Sequence, residues 1–118
     1  MNTPLTASPL IPLSDEARAA YHDLYTKIEA EIENTTDLIA LEALNPLLAQ
    51  IDDVLDKDEL YQIGKNTDAF NAALKQLNDT NGNLKTLQTQ INATASHFKT
   101  AGDILGAITK VLGFLGLP

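Results

Sequence analysis

Apolar side chains recur every seven residues through the second half of the chain, at Ile63, Phe70, Leu77, Leu84, Ile91, Phe98, Leu105 and Leu112. Seven residues is close to two helical turns, so this spacing lines them along one edge of a helix. A companion series reads Ala73, Thr80, Leu87, Thr94, Ala101, Ile108 and Leu115, with small or hydroxyl-bearing residues at four of its seven positions. The pattern predicts a C-terminal spine from about Thr67 to Gly113, one long helix or two collinear ones, capped by Asn66 or Thr67. Its weak point is Asn78-Asp79-Thr80-Asn81-Gly82-Asn83, which taken alone is a turn sequence. Leu77 and Leu84 keep phase across it, so a continuous helix is expected there, with a hairpin as the alternative.

The first half carries helical spacing in shorter pieces. Residues 1–13 hold prolines at 4, 9 and 12, which force an extended or turned path. Leu5, Leu10, Ile11 and Leu13 suit an arm lying over its own bundle. Ser14 is an N-cap followed by Asp15 and Glu16, acids that favour a first helical turn. Ala17, Ala20, Tyr21, Leu24, Tyr25, Ile28 and Ile32 then share one face. Asn34-Thr35-Thr36-Asp37 interrupts the pattern, since short polar side chains compete for backbone hydrogen bonds. Leu38, Leu41, Leu44, Leu48, Ile51 and Leu55 resume it. Asn45-Pro46 within that run reads as a cap and a first helical residue, so a helix boundary is expected at Asn45. Asp58 to Ile63 is then expected as a short helical turn ended by Gly64.

At 118 residues the chain fits one domain, with residues 1–13 as an arm and 14–118 as the folded body. Net charge is −8 and unevenly spread. Residues 1–60 hold 13 acids against Arg18, Lys27 and Lys57, a net of −10, whereas residues 61–118 carry +2. The asymmetry suits two solvated faces of one bundle, the acidic half lying beside the basic one; the sharper reading is an acidic surface kept for a basic protein partner. Either works against direct nucleic-acid binding, which needs clustered Lys and Arg. The five C-terminal lysines stand singly, ten or more residues apart.

Chemistry is sparsely signalled. With no cysteine, thiolate metal sites and cysteine nucleophiles are excluded. His22 and His97 are far apart, and neither has a second metal-ligating residue at helical spacing. Ser96 next to His97 points elsewhere on a helix, so the two do not form a dyad. An EF-hand frame begun at Asp56 fails, because Tyr61 stands where glycine is required and Leu60 replaces a ligand. No catalytic or metal site and no cofactor is expected.

Two functional surfaces remain. Asp52, Asp53, Asp56, Asp58 and Glu59 crowd one helix end and form a candidate face for a basic partner. The apolar terminus, with Leu112, Phe114, Leu115 and Leu117, is a candidate contact for a lipid surface or a partner groove; the other reading, which a folded domain favours, is that it is the most buried end of the helix, covered by the N-terminal arm. The fold expected is an all-α antiparallel bundle of three to five helices built on the long heptad-patterned helix. Any uncovered length of that seam would drive a homo-oligomer, with a dimer as the simplest form. The function expected is a non-catalytic interaction module such as an adaptor, chaperone or toxin-neutralising immunity-type protein; the alternative is a membrane-acting protein that releases its apolar C-terminal segment. Met1 to Leu13 lacks a basic n-region and no stretch is long enough to span a bilayer, so a cytoplasmic location is expected.

Overall fold

Ser14 and Asp37 begin the first two helices as side-chain caps. Ser14 Oγ accepts from Ala17 N at 3.1 Å, and Asp37 Oδ1 accepts from Ile39 N at 2.9 Å. They open α1 (Asp15–Asn34) and α2 (Leu38–Gly64) in a computed structural model that describes residues 11–114. Asn66 caps α3 (Thr67–Ala93) by accepting from Ala69 N at 2.8 Å. A 3₁₀ turn at Ala95–His97 leads to α4 (Ala101–Phe114). Every element among the described residues is helical.

Connections of three and two residues force α2 to reverse on α1 and α3 to reverse on α2. Lys65 turns the chain from α2 into α3 in the left-handed region, at φ 50°, with its N–H donating to the Tyr61 carbonyl. Around the bundle α1 packs on α2 and α4, and α3 packs on α2 and α4. The order is therefore cyclic, with α1 and α3 on one diagonal. At 27 residues each, α2 and α3 are about 40 Å long, which accounts for the 45 Å long axis.

The core is aliphatic. Leu24, Ile28, Leu44, Ile51, Leu77, Leu84, Ile91, Ile104 and Ile108 have no exposed surface. Within it Tyr21 on α1 donates its hydroxyl to Asn81 Oδ1 on α3 at 2.6 Å, across the diagonal. Burial pushes the Tyr21 phenol above its ordinary range, and the Asn81 bond opposes that only in part.

Three expectations from the sequence need correction. Pro46 does not begin a helix; α2 runs through it, and Asp58 to Ile63 belong to the same helix. Proline costs a helix interior ~3 kcal/mol. Ala40 and Leu44 before it and Leu47 after it are buried, and completely burying one leucine returns about 1.5–3 kcal/mol. With its ring exposed at the surface, Pro46 is tolerated.

The spine from Thr67 to Gly113 is not one helix. Asn78–Asn83 is indeed helical, but α3 stops at Ala93 and the chain turns back into the much shorter α4. Phe98, in extended backbone between them, is buried in the core.

Ile63, first of the seven-residue series, is 76% exposed because it belongs to the last turn of α2, before the reversal. The arm expectation is met at Ile11 and Leu13, both buried; Leu5 and Leu10 lie outside the described residues.

Candidate functional site

The acidic end of α2 divides into an inner and an outer part. Asp52, Asp56 and Glu59 are exposed and stand at i, i+4 and i+7, one stripe along the helix. They line a groove of about 380 Å³ between α2 and α1, closed by Arg18, His22, Leu55 and Gln62. Among the described residues none of the three carboxylates enters an ion pair. Asp53 is half-buried and already engaged, with Lys57 Nζ 3.0 Å away. Asp52 also borders a wider polar groove of about 670 Å³ between α2 and α3, where Asp79 and Asn83 face it.

Asp58 does not belong to this face. It is 1% exposed and points inward, so its place among partner-binding residues is a correction. Its Oδ1 accepts from Leu13 N at 2.8 Å. Its Oδ2 accepts from Gln62 Nε2 at 2.7 Å and from Arg18 Nε and Nη2, both at 3.3 Å. Arg18 in turn donates to the Leu13 carbonyl at 2.9 Å and meets Asp15 at 3.0 Å. Asp58 thus ties the arm, α1 and α2 together. Because Arg18 is spent on Asp58 and Asp15, the groove above it stays negative.

At the opposite end of the bundle, two carboxylates hold the α3–α4 connection. Glu31, 1% exposed, accepts from Lys99 N, Thr100 N and Thr100 Oγ1 at 2.8, 2.8 and 2.7 Å. Burial opposes its ionisation, but these three bonds and the nearby Lys99 charge outweigh it and hold its pKa below the ordinary value. Asp37 Oδ2 stands 2.7 Å from His97 Nδ1. An ionised carboxylate only accepts, so Nδ1 carries the proton. That bond, with those from Ala40 N and Ile39 N, lowers the Asp37 pKa against a smaller opposing effect of burial.

The chain matches no known protein family, no characterised protein and no solved structure. Among the described residues no three histidine or carboxylate side chains converge as metal ligands, and no helix is long and apolar enough to cross a membrane.

The apolar terminus is divided as well. Leu112 is buried in the core with Ile104, Ala107, Ile108 and Val111, which corrects its assignment as a surface contact. Phe114 is 44% exposed, and Leu115 and Leu117 lie outside the described residues. More exposed apolar side chains sit at the two hairpin ends of α2, with Leu38 71% and Leu60 61% exposed. His22 is the groove residue that sequence reasoning passed over. Its signal is the spacing from Arg18, which puts both on the face of α1 turned to α2.

Proposed function

We propose that this protein is a non-catalytic interaction module that receives a basic protein partner in the groove between α1 and α2. The observation carrying this reading is the stripe of Asp52, Asp56 and Glu59, exposed and without ion-pair partners among the described residues. Carboxylates at i, i+4 and i+7 rise about 10 Å along a helix, a spacing that suits two or three lysines or arginines on one partner element. The surplus of acid in residues 1–60 would steer such a partner and reject acidic competitors.

The test is charge reversal. Full-length protein and the D52K/D56K/E59K variant are used to capture proteins from the host extract, with circular dichroism confirming the helical fold of both. A basic partner held by the first, released by salt and lost with the variant supports the proposal. Capture that is the same for both ends it.

A second reading has its own support. α4 is a separate helix whose five buried side chains are all apolar, on its own linker. Released, it would present an amphipathic face to a lipid surface. Flotation of the full-length chain with phospholipid vesicles tests this, and absence of binding counts against it.

A further inference from the structure

Three observations single out α4 within the bundle. It is half the length of α3, 14 residues against 27, and is joined to it by seven residues that include only one 3₁₀ turn. It contains Gly102, Gly106 and Gly113, and a Cβ added to any of them would meet nothing within 4 Å. Packing therefore does not require glycine at these positions, yet Gly106, in the helix interior, weakens it relative to alanine by a factor of roughly five. Finally, the backbone entering α4 is held from outside the helix, by the Glu31 carboxylate on Lys99 N and Thr100 N.

We propose that α4 is a hinged strap, latched by Glu31, that undocks and redocks as a unit about residues 94–100 while α2 and α3 stay paired. Undocking bares Ile104, Ile108, Val111 and Leu112 together with the core surface they cover. The latch works because one buried carboxylate gathers three donors at the half-exposed entrance of the helix. His97 on Asp37 forms the second clasp, placed so that the segment before Phe98 is fixed to the α2 cap. The strap depends on neither the acidic groove nor lipid binding, since it concerns only which helix opens first.

Native-state hydrogen exchange read by mass spectrometry tests it on the full chain. Amides of 104–114 should exchange about tenfold or more faster than those of 77–91, as expected for a cooperative unit below global stability. Glu31→Gln leaves one acceptor oxygen and turns an amide NH₂ toward backbone donors. It should speed exchange in 104–114 by a further tenfold or so and leave 77–91 unchanged. The G106A/G113A variant should slow 104–114 alone, and this arm holds even if Glu31→Gln is poorly folded. Equal protection of α3 and α4 in the wild type, or acceleration of every helix together by Glu31→Gln, overturns the proposal. So does α1 opening in step with α4.

Discussion

Replacing Asp58 with asparagine separates a structural acid from its recognition neighbours, and its cost follows from four bonds. The carboxylate takes donors from Leu13, Gln62 and twice from Arg18. Asparagine keeps one oxygen and points an NH₂ at donors, leaving the guanidinium without its buried counter-charge. Breaking a fully buried pair in this way costs about 3–5 kcal/mol. Arg18 is 30% exposed and keeps Asp15 and the Leu13 carbonyl, so water screens part of the loss. The expected cost is therefore about 2–3 kcal/mol. With a urea m-value of about 1.5 kcal/mol/M, the unfolding midpoint should fall by about 1.3–2 M. Melting should drop by about 8–12 °C at this chain length. D52N, D56N and E59Q, measured alongside, should each stay within about 0.5 kcal/mol of the wild type. Adding Arg18→Met to Asp58→Asn should cost less than the two changes summed, since they share one interaction. If D58N unfolds at the same urea concentration as D52N, the inward role assigned to Asp58 is wrong.

Pro46→Ala should stabilise the protein by about 1–3 kcal/mol, because it restores an N–H for the Glu42 carbonyl at the loss of only some unfolded-state restriction. Thermal melting checks this, and a lower melting temperature would refute it. Glu31 and Asp37 both have folded-state pKa values below their ordinary values of 4.5 and 3.8. The stability they supply is complete above those values and disappears as pH falls through the lower folded ones. Melting temperature should accordingly be level near neutrality and decline below about pH 4.5, with a shallower decline in the E31Q variant.

Much of the architecture is legible in the sequence. Ser14 and Asn66 announce two helix starts, the polar run ending at Asp37 marks the break before a third, and the apolar faces led by Leu24 and Leu84 are the faces that are buried. On α2 the expected face is rotated: Leu44 and Ile51 are buried, but Leu38 is exposed and Leu41, Leu48 and Leu55 are half-buried, while Ala40, Leu47 and Val54 take the core positions. The error at Ala93 has an instructive cause. Phe98 and Leu112 stay in seven-residue phase with Ile91 and are all buried, yet they lie beyond a reversal of the chain. Periodicity reports which side chains seek the core; it is silent on whether the helix between them is unbroken. Thr100 with Asp103 three residues on is a helix-start pattern that marks the true boundary. What fixes the break is nonlocal, since Glu31 and Asp37 lie about sixty or more residues away from their partners Thr100 and His97. Pro46 misleads for a similar reason: local cost is outweighed by burial on either side. The acidic stripe was visible as composition, but only the fold separates Asp58, turned inward, from Asp52, Asp56 and Glu59.

The bond between Tyr21 and Asn81 bears on how this protein avoids misassembly. Leucine and isoleucine are undemanding neighbours, and rods greased with them can slide by one turn, about 5.4 Å, and still find company. A phenol and an amide cannot: shifted by that distance, each would sit in oil with no one to talk to, at a penalty of about 1–3 kcal/mol apiece. One polar contact across the diagonal thus sets the vertical alignment of α1 against α3, and its loss should show first as a choice among stackings rather than as simple weakness.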